Sequence, residues 1–140
     1  MKNSNYLNNI KIDLKILKEY STVIYGSFLS EDFIPQRSDI DIAIISYNHK
    51  KEDNIILLNE LAGEFTDKYD IKIFELLPLY LKIEIIKNYL VLFGNPLEIS
   101  EYFYHFRSIW KDMSHRIEKN QFKNIDEKLE MLERRPKHYL

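Results

Sequence analysis

The run Asp39-Ile40-Asp41-Ile42-Ala43-Ile44-Ile45 constrains this chain more than any other stretch of it. Isoleucine branches at Cβ, which restricts it in a helix and suits it to a pleated surface, so the run predicts a strand over Ile40 to Ile45. Side chains alternate along a strand, which puts Asp39 and Asp41 on the same side. Two neighbouring carboxylates repel one another, and a pattern that brings them together points to a bound divalent cation. The chain has no cysteine, so thiolate metal sites, disulfides and a cysteine nucleophile are all excluded, and magnesium suits the remaining oxygen ligands best.

The elements around this strand follow from periodicity. Leu7, Ile10, Leu14 and Leu17 recur at helical spacing and predict an amphipathic helix over about residues 5–19. Thr22 to Tyr25 predicts a buried strand stopped by a tight turn at Gly26. Ile55, Leu58, Leu61, Ala62 and Phe65 mark a second helix, and Ile71-Lys72-Ile73-Phe74 a third strand that begins at Asp70. Pro78 suits the first turn of a helix running through Ile86, and Tyr89 to Phe93 predicts a short edge strand before Gly94-Asn95-Pro96. From Leu97 onward the pattern is helical, first through Phe103, Phe106, Trp110, Met113 and Ile117, then through Ile125, Leu129 and Leu132 after Asn120.

Helices interleaved with three or four short strands predict a small mixed sheet flanked by helices, an α/β (α+β) fold. With 140 residues, 45% of them hydrophobic, the chain reads as one domain, residues 1–95 forming the sheet and its helices and 96–140 the C-terminal helices. Twenty basic against 22 acidic residues leave no basic excess, so direct nucleic-acid binding is not expected. No stretch is long and apolar enough for a membrane span and the start lacks a signal-like core, so a cytoplasmic protein is expected.

A second group of residues belongs with the two aspartates. Tyr25-Gly26-Ser27 precedes them, with eleven residues between Ser27 and Asp39. A glycine lets the backbone approach a phosphate closely, and the following serine adds a hydroxyl and an amide donor at the same place. Asp70 supplies a third carboxylate if its strand pairs beside that of Asp41, which makes a site for two metal ions plausible. A turn aspartate is the plainer reading of Asp70. Glu75 is then the rival third carboxylate, although alternation puts it on the opposite strand face.

This arrangement resembles the minimal nucleotidyltransferases of the DNA polymerase β superfamily, whose motif is a glycine-serine turn, a loop, an Asp-x-Asp strand and a later strand aspartate. The segment from Ile71 through Leu77-Pro78 and Ile83 to Phe93, with the helix near Glu98, is similar to the MntA-type antitoxins of the MNT/HEPN toxin-antitoxin systems. Two departures lie in the loop: ten residues are usual where this chain has eleven, and Glu31-Asp32 replaces the commoner arginine and glycine. The resemblance implies that Gly26 and Ser27 cradle a triphosphate and that Asp39, Asp41 and Asp70 are catalytic and hold two Mg2+ ions, with Asp70 assisting deprotonation of the acceptor. Arg37 and Ser38 would touch phosphate oxygens. It further implies ATP as donor and a tyrosine of a partner HEPN-domain toxin as acceptor, AMPylated and thereby silenced. A non-catalytic antitoxin module and a nucleotidyltransferase with a small-molecule acceptor are the alternatives.

Other conspicuous residues have plainer readings. Lys72 shares the predicted face of Asp70 and reads as a solvated edge charge outside the site. His49, His105, His115 and His138 have no metal-ligand spacing. The stripe from Phe103 to Met113 reads as core, with Tyr102 and Tyr104 as surplus aromatic surface, and the basic run Arg134 to His138 as a solvated terminus.

Overall fold

Four strands form a single mixed sheet in a computed structural model that describes residues 2–30 and 39–123. Arg37 and Ser38, the Glu31-Asp32 pair, the stripe Ile125 to Leu132 and the basic run Arg134 to His138 lie outside the described residues. The helix α1 (Lys2–Asp13) leads through a 3-10 turn (Lys15–Leu17) into β1 (Ser21–Tyr25), and a second 3-10 turn (Gly26–Leu29) follows at once. Then come β2 (Ile40–Ile45), α2 (Lys51–Leu61), β3 (Tyr69–Ile73), a third 3-10 turn (Phe74–Leu76), α3 (Leu79–Lys87), β4 (Tyr89–Phe93) and α4 (Pro96–Lys123).

The strand order is β3-β2-β1-β4. β1 pairs antiparallel with β2 and β4, whereas β2 and β3 run parallel, with α2 as the crossover that parallel pairing requires. One face of the sheet presents Ile24, Ile40, Ile42, Ile44 and Ile73 to Ile10, Leu14, Leu17 and Leu61. The other presents Val23, Ala43 and Ile45 to Phe74, Ile83, Ile86, Ile99, Phe103 and Phe106, so α3 and α4 cover this second face. Every residue of β2 is buried except Asp41. A polar side chain thus interrupts a strand that is otherwise covered on both faces.

Several boundaries differ from those expected. α1 ends at Asp13, and Leu17 reaches the core from the 3-10 turn, because a spacing of three serves either helix type. α2 ends at Leu61 and does not extend to Phe65, since Gly63 has φ +86° and turns the chain out of the helix. Pro96 opens α4 instead of preceding it: the Asn95 side chain accepts from Leu97 N at 2.9 Å and Glu98 N at 3.3 Å, and proline at the first position gives up no hydrogen bond. α4 also runs through Asn120 unbroken. Its 28 residues make a rod about 42 Å long at 1.5 Å per residue, which overruns the sheet. That length corrects the reading of the aromatic stripe as core, for Phe103 and Phe106 are buried while Trp110 and Met113 are exposed.

Candidate active site

The register of the sheet assembles one row of side chains. Asp70 of β3 is the direct partner of Asp41 of β2, Asp41 is the partner of Tyr25 of β1, and Tyr25 is the partner of Tyr89 of β4. All four stand on the face covered elsewhere by α3 and α4, and Asp39 precedes β2 with its side chain exposed. Strand pairing therefore brings Asp70 to Asp41, as its place at the start of the third strand suggests.

The electrostatics of this row are unfavourable as it stands. Burial pushes the Asp41 carboxyl above the usual aspartate range, the negative charge of Asp70 adds to this and Asp39 contributes further, while the Lys72 ammonium works the other way. Tyr25, half-buried beside it, is likewise pushed up by burial and, to a lesser extent, by Asp41 and Asp70. Such a set gains when a cation arrives.

Gly26 brings the turn backbone up to the row. It follows β1 with φ +78°, and a Cβ there would run into the carboxylate of Asp41, so the missing side chain is what lets that carboxylate lie against the turn. Ser27 comes next, inside the 3-10 turn, and its carbonyl accepts from Ser30 N at 2.9 Å.

Among the described residues, no three His, Cys, Asp or Glu side chains stand close enough to hold a metal ion in their present rotamers. The reason at Asp70 is visible: its Oδ2 accepts from Lys72 Nζ at 2.6 Å. The donor set nevertheless fits a hard divalent ion, because it consists of carboxylate oxygens alone, two of them on register partners, with Asp41 lying against a glycine backbone and the Asp70 side chain still exposed enough to turn. Lys72, read from the sequence as an edge charge outside the site, thus pairs with one of the carboxylates from the edge strand, its side chain still part-exposed. The signal for it in the sequence is its place two residues after Asp70, on the same strand face.

Glu75, the rival third carboxylate, is occupied elsewhere. It lies in the 3-10 turn after β3, and it accepts from Ser46 N and Ser46 Oγ at 3.1 Å each, from Tyr47 N at 3.0 Å and from Tyr102 OH at 2.7 Å. These bonds hold Tyr47 in the left-handed region at φ 59° and tie α4 to the far end of β2. Tyr102 is accordingly an anchored donor, and Tyr104 is the exposed aromatic. An open cleft of about 240 Å3 with a mixed lining, from Leu58, Leu61, Phe65, Thr66, Asp67 and Tyr69 among others, lies under the opposite face of the sheet and shares no side chain with the carboxylate row.

Known proteins share the family and the fold of this chain. Residues 8–97 match the family described as Polymerase beta, Nucleotidyltransferase. A Methanocaldococcus jannaschii protein named "Putative protein adenylyltransferase" is 49% identical over 118 residues, which covers 84% of this chain and 90% of that protein. A crystal structure of a toxin-antitoxin with AMP-PNP superposes with a TM-score of 0.60 at 18% identity, covering 87% of this chain and 98% of the other. A tri-AMPylated Shewanella oneidensis HEPN toxin in complex with MNT antitoxin gives 0.54 at 17% identity over 88% of this chain and 95% of the other. At such identities the two structural likenesses establish the fold.

Proposed function

This chain belongs to the polymerase β nucleotidyltransferase family, and we propose that it is a Mg2+-dependent protein adenylyltransferase that moves AMP from ATP to a tyrosine hydroxyl of a HEPN-domain toxin, acting as its antitoxin. The observation that carries this reading is the pairing of Asp41 with Asp70 beside the Gly26 turn, whose missing Cβ lets the Asp41 carboxylate lie against it. The adenylyltransferase name of the 49% identical relative supports the reaction type. The HEPN toxin complexed with an MNT antitoxin, in a structure of the same fold, supports the acceptor class.

In this mechanism the acceptor oxygen attacks the α-phosphorus of ATP in line with the bond to the bridging oxygen of the β-phosphate. That bond breaks and pyrophosphate leaves. Asp39, Asp41 and Asp70 would hold two Mg2+ ions, whose chemistry there is to activate the acceptor oxygen and to neutralise charge on the leaving group. Asp70 stands at the edge of the row and takes the hydroxyl proton. Gly26 admits the triphosphate next to Asp41, and the Ser27 hydroxyl and amide donate to its oxygens. Arg37 and Ser38 immediately precede Asp39 in the chain, and their place in the reading is to contact phosphate.

The test is the intact mass of a HEPN-domain protein encoded beside this chain, after incubation with it, ATP and Mg2+. Mass steps of one AMP that vanish with Asp41→Asn are expected. An unmodified partner in a stable complex would overturn the enzymatic reading in favour of neutralisation by occlusion.

A further inference from the structure

Lys72 is placed where an edge lysine has no need to be. Its register partner on β2 is Ala43, and its ammonium turns back along β3 to Asp70. The ammonium contacts Asp70 at 2.6 Å, and its charge is felt at Asp41 and Tyr25, so it lies beside the carboxylate row. Among the described residues it is the one cation paired with any of the three aspartates. Lys72 and Asp70 keep 38% and 45% of their side-chain surface exposed, so neither is locked in its rotamer by packing.

An ammonium and a divalent cation on Asp70 repel one another at such separations, so a metal ion bound there weakens the lysine's hold. A lysine is a point charge on a flexible stem, able to change partners without moving backbone. The nearest anion available to it in a loaded site is the triphosphate that the metal brings. We propose that Lys72 exchanges partners during the cycle: its ammonium holds Asp70 while the site is empty and moves to the ATP phosphates once a divalent ion takes Asp70. This rests on the adenylyltransferase reading above and adds a phosphate-binding residue to it.

The exchange makes an unusual prediction of opposite signs for one substitution. In Lys72→Met, which keeps the length of the stem, Mn2+ alone should bind several-fold more tightly, since no ammonium has to be displaced. ATP in the presence of Mg2+ should bind about tenfold more weakly, the loss expected for one charge-assisted hydrogen bond. Lys72→Arg should recover much of the ATP affinity. Mn2+ binding is read from the electron paramagnetic resonance of the free ion, and ATP binding by calorimetry on the full chain. If Lys72 merely props Asp70, both affinities fall together and the melting temperature falls with them. If it is a solvated charge, neither changes, and either result overturns the exchange while leaving the enzyme reading intact. A wild-type chain that binds neither Mn2+ nor ATP overturns the enzyme reading itself.

Discussion

The two ends of β2 each carry a carboxylate centre, and they are built in opposite ways. At the far end Glu75 accepts four hydrogen bonds, from the Ser46 and Tyr47 amides and the Ser46 and Tyr102 hydroxyls, and so fixes loop, strand and α4 to one another. At the near end Asp41 is half-buried, faces Asp70 and Asp39, and has its carboxyl pushed up by burial first and by those charges next. A carboxylate whose lone pairs are filled by the protein's own donors is structural. One held among like charges, against a glycine turn, is left for a cation from outside.

That contrast can be broken from either end. The largest effect is expected in Asp41→Asn, which should lower AMP transfer by about a thousandfold or more, several kcal/mol of transition-state stabilisation at 1.36 kcal/mol per tenfold, in single-turnover assays. Next, Glu75→Gln should cost about 2 kcal/mol of stability in urea denaturation, because an amide nitrogen must replace an acceptor that now faces N–H and O–H donors. Its Mn2+ binding should be unchanged. Gly26→Ala should cost on the order of 1–3 kcal/mol, through its left-handed φ and its collision with Asp41, and should abolish transfer as well. Tyr102→Phe removes one of the four bonds to Glu75 and should cost about 1 kcal/mol, with transfer intact.

The smallest effect has the more telling sign. Asp41 has a raised carboxyl in the folded protein, so its ionisation costs stability progressively as the pH rises from the ordinary aspartate range through that raised value, the full cost is present above it, and nothing is lost below the ordinary range. Asp41→Asn should therefore raise the melting temperature at pH 7 by roughly 1–3 °C, a small gain because water screens a half-exposed charge. The gain should shrink as the pH is lowered and vanish below about pH 4. Thermal unfolding across that range checks it.

Much of the near end was legible in the sequence, and little of the far end. Alternation alone puts Asp39 and Asp41 on one side, and the glycine before Ser27 marks the turn that faces them. The position of Asp70 opposite Asp41 depends on strand order, which periodicity does not carry, since each strand pattern is silent about its neighbour. Lys72 was visible on the right face, but a lysine stem can point to water or to a carboxylate, and strand alternation does not choose between the two. The Glu75 centre joins residues up to 29 positions apart through side-chain geometry, and Tyr102 looked like surplus aromatic surface until its hydroxyl had a partner. The burial of α4 could be read only where its stripe meets the sheet, because the pattern continues past the point where the sheet ends.

The central claim is that the Asp41 end of β2 is short of positive charge and is completed by a metal-bound nucleotide. The most direct measurement is thermal unfolding of the wild type and Asp41→Asn at pH 7, each with and without Mg2+ and ATP. Without ligand the variant should melt above the wild type, and with ligand the wild type should rise past it while the variant stays where it was. A variant that melts lower without ligand, or that gains as much from Mg2+ and ATP as the wild type does, would contradict the account.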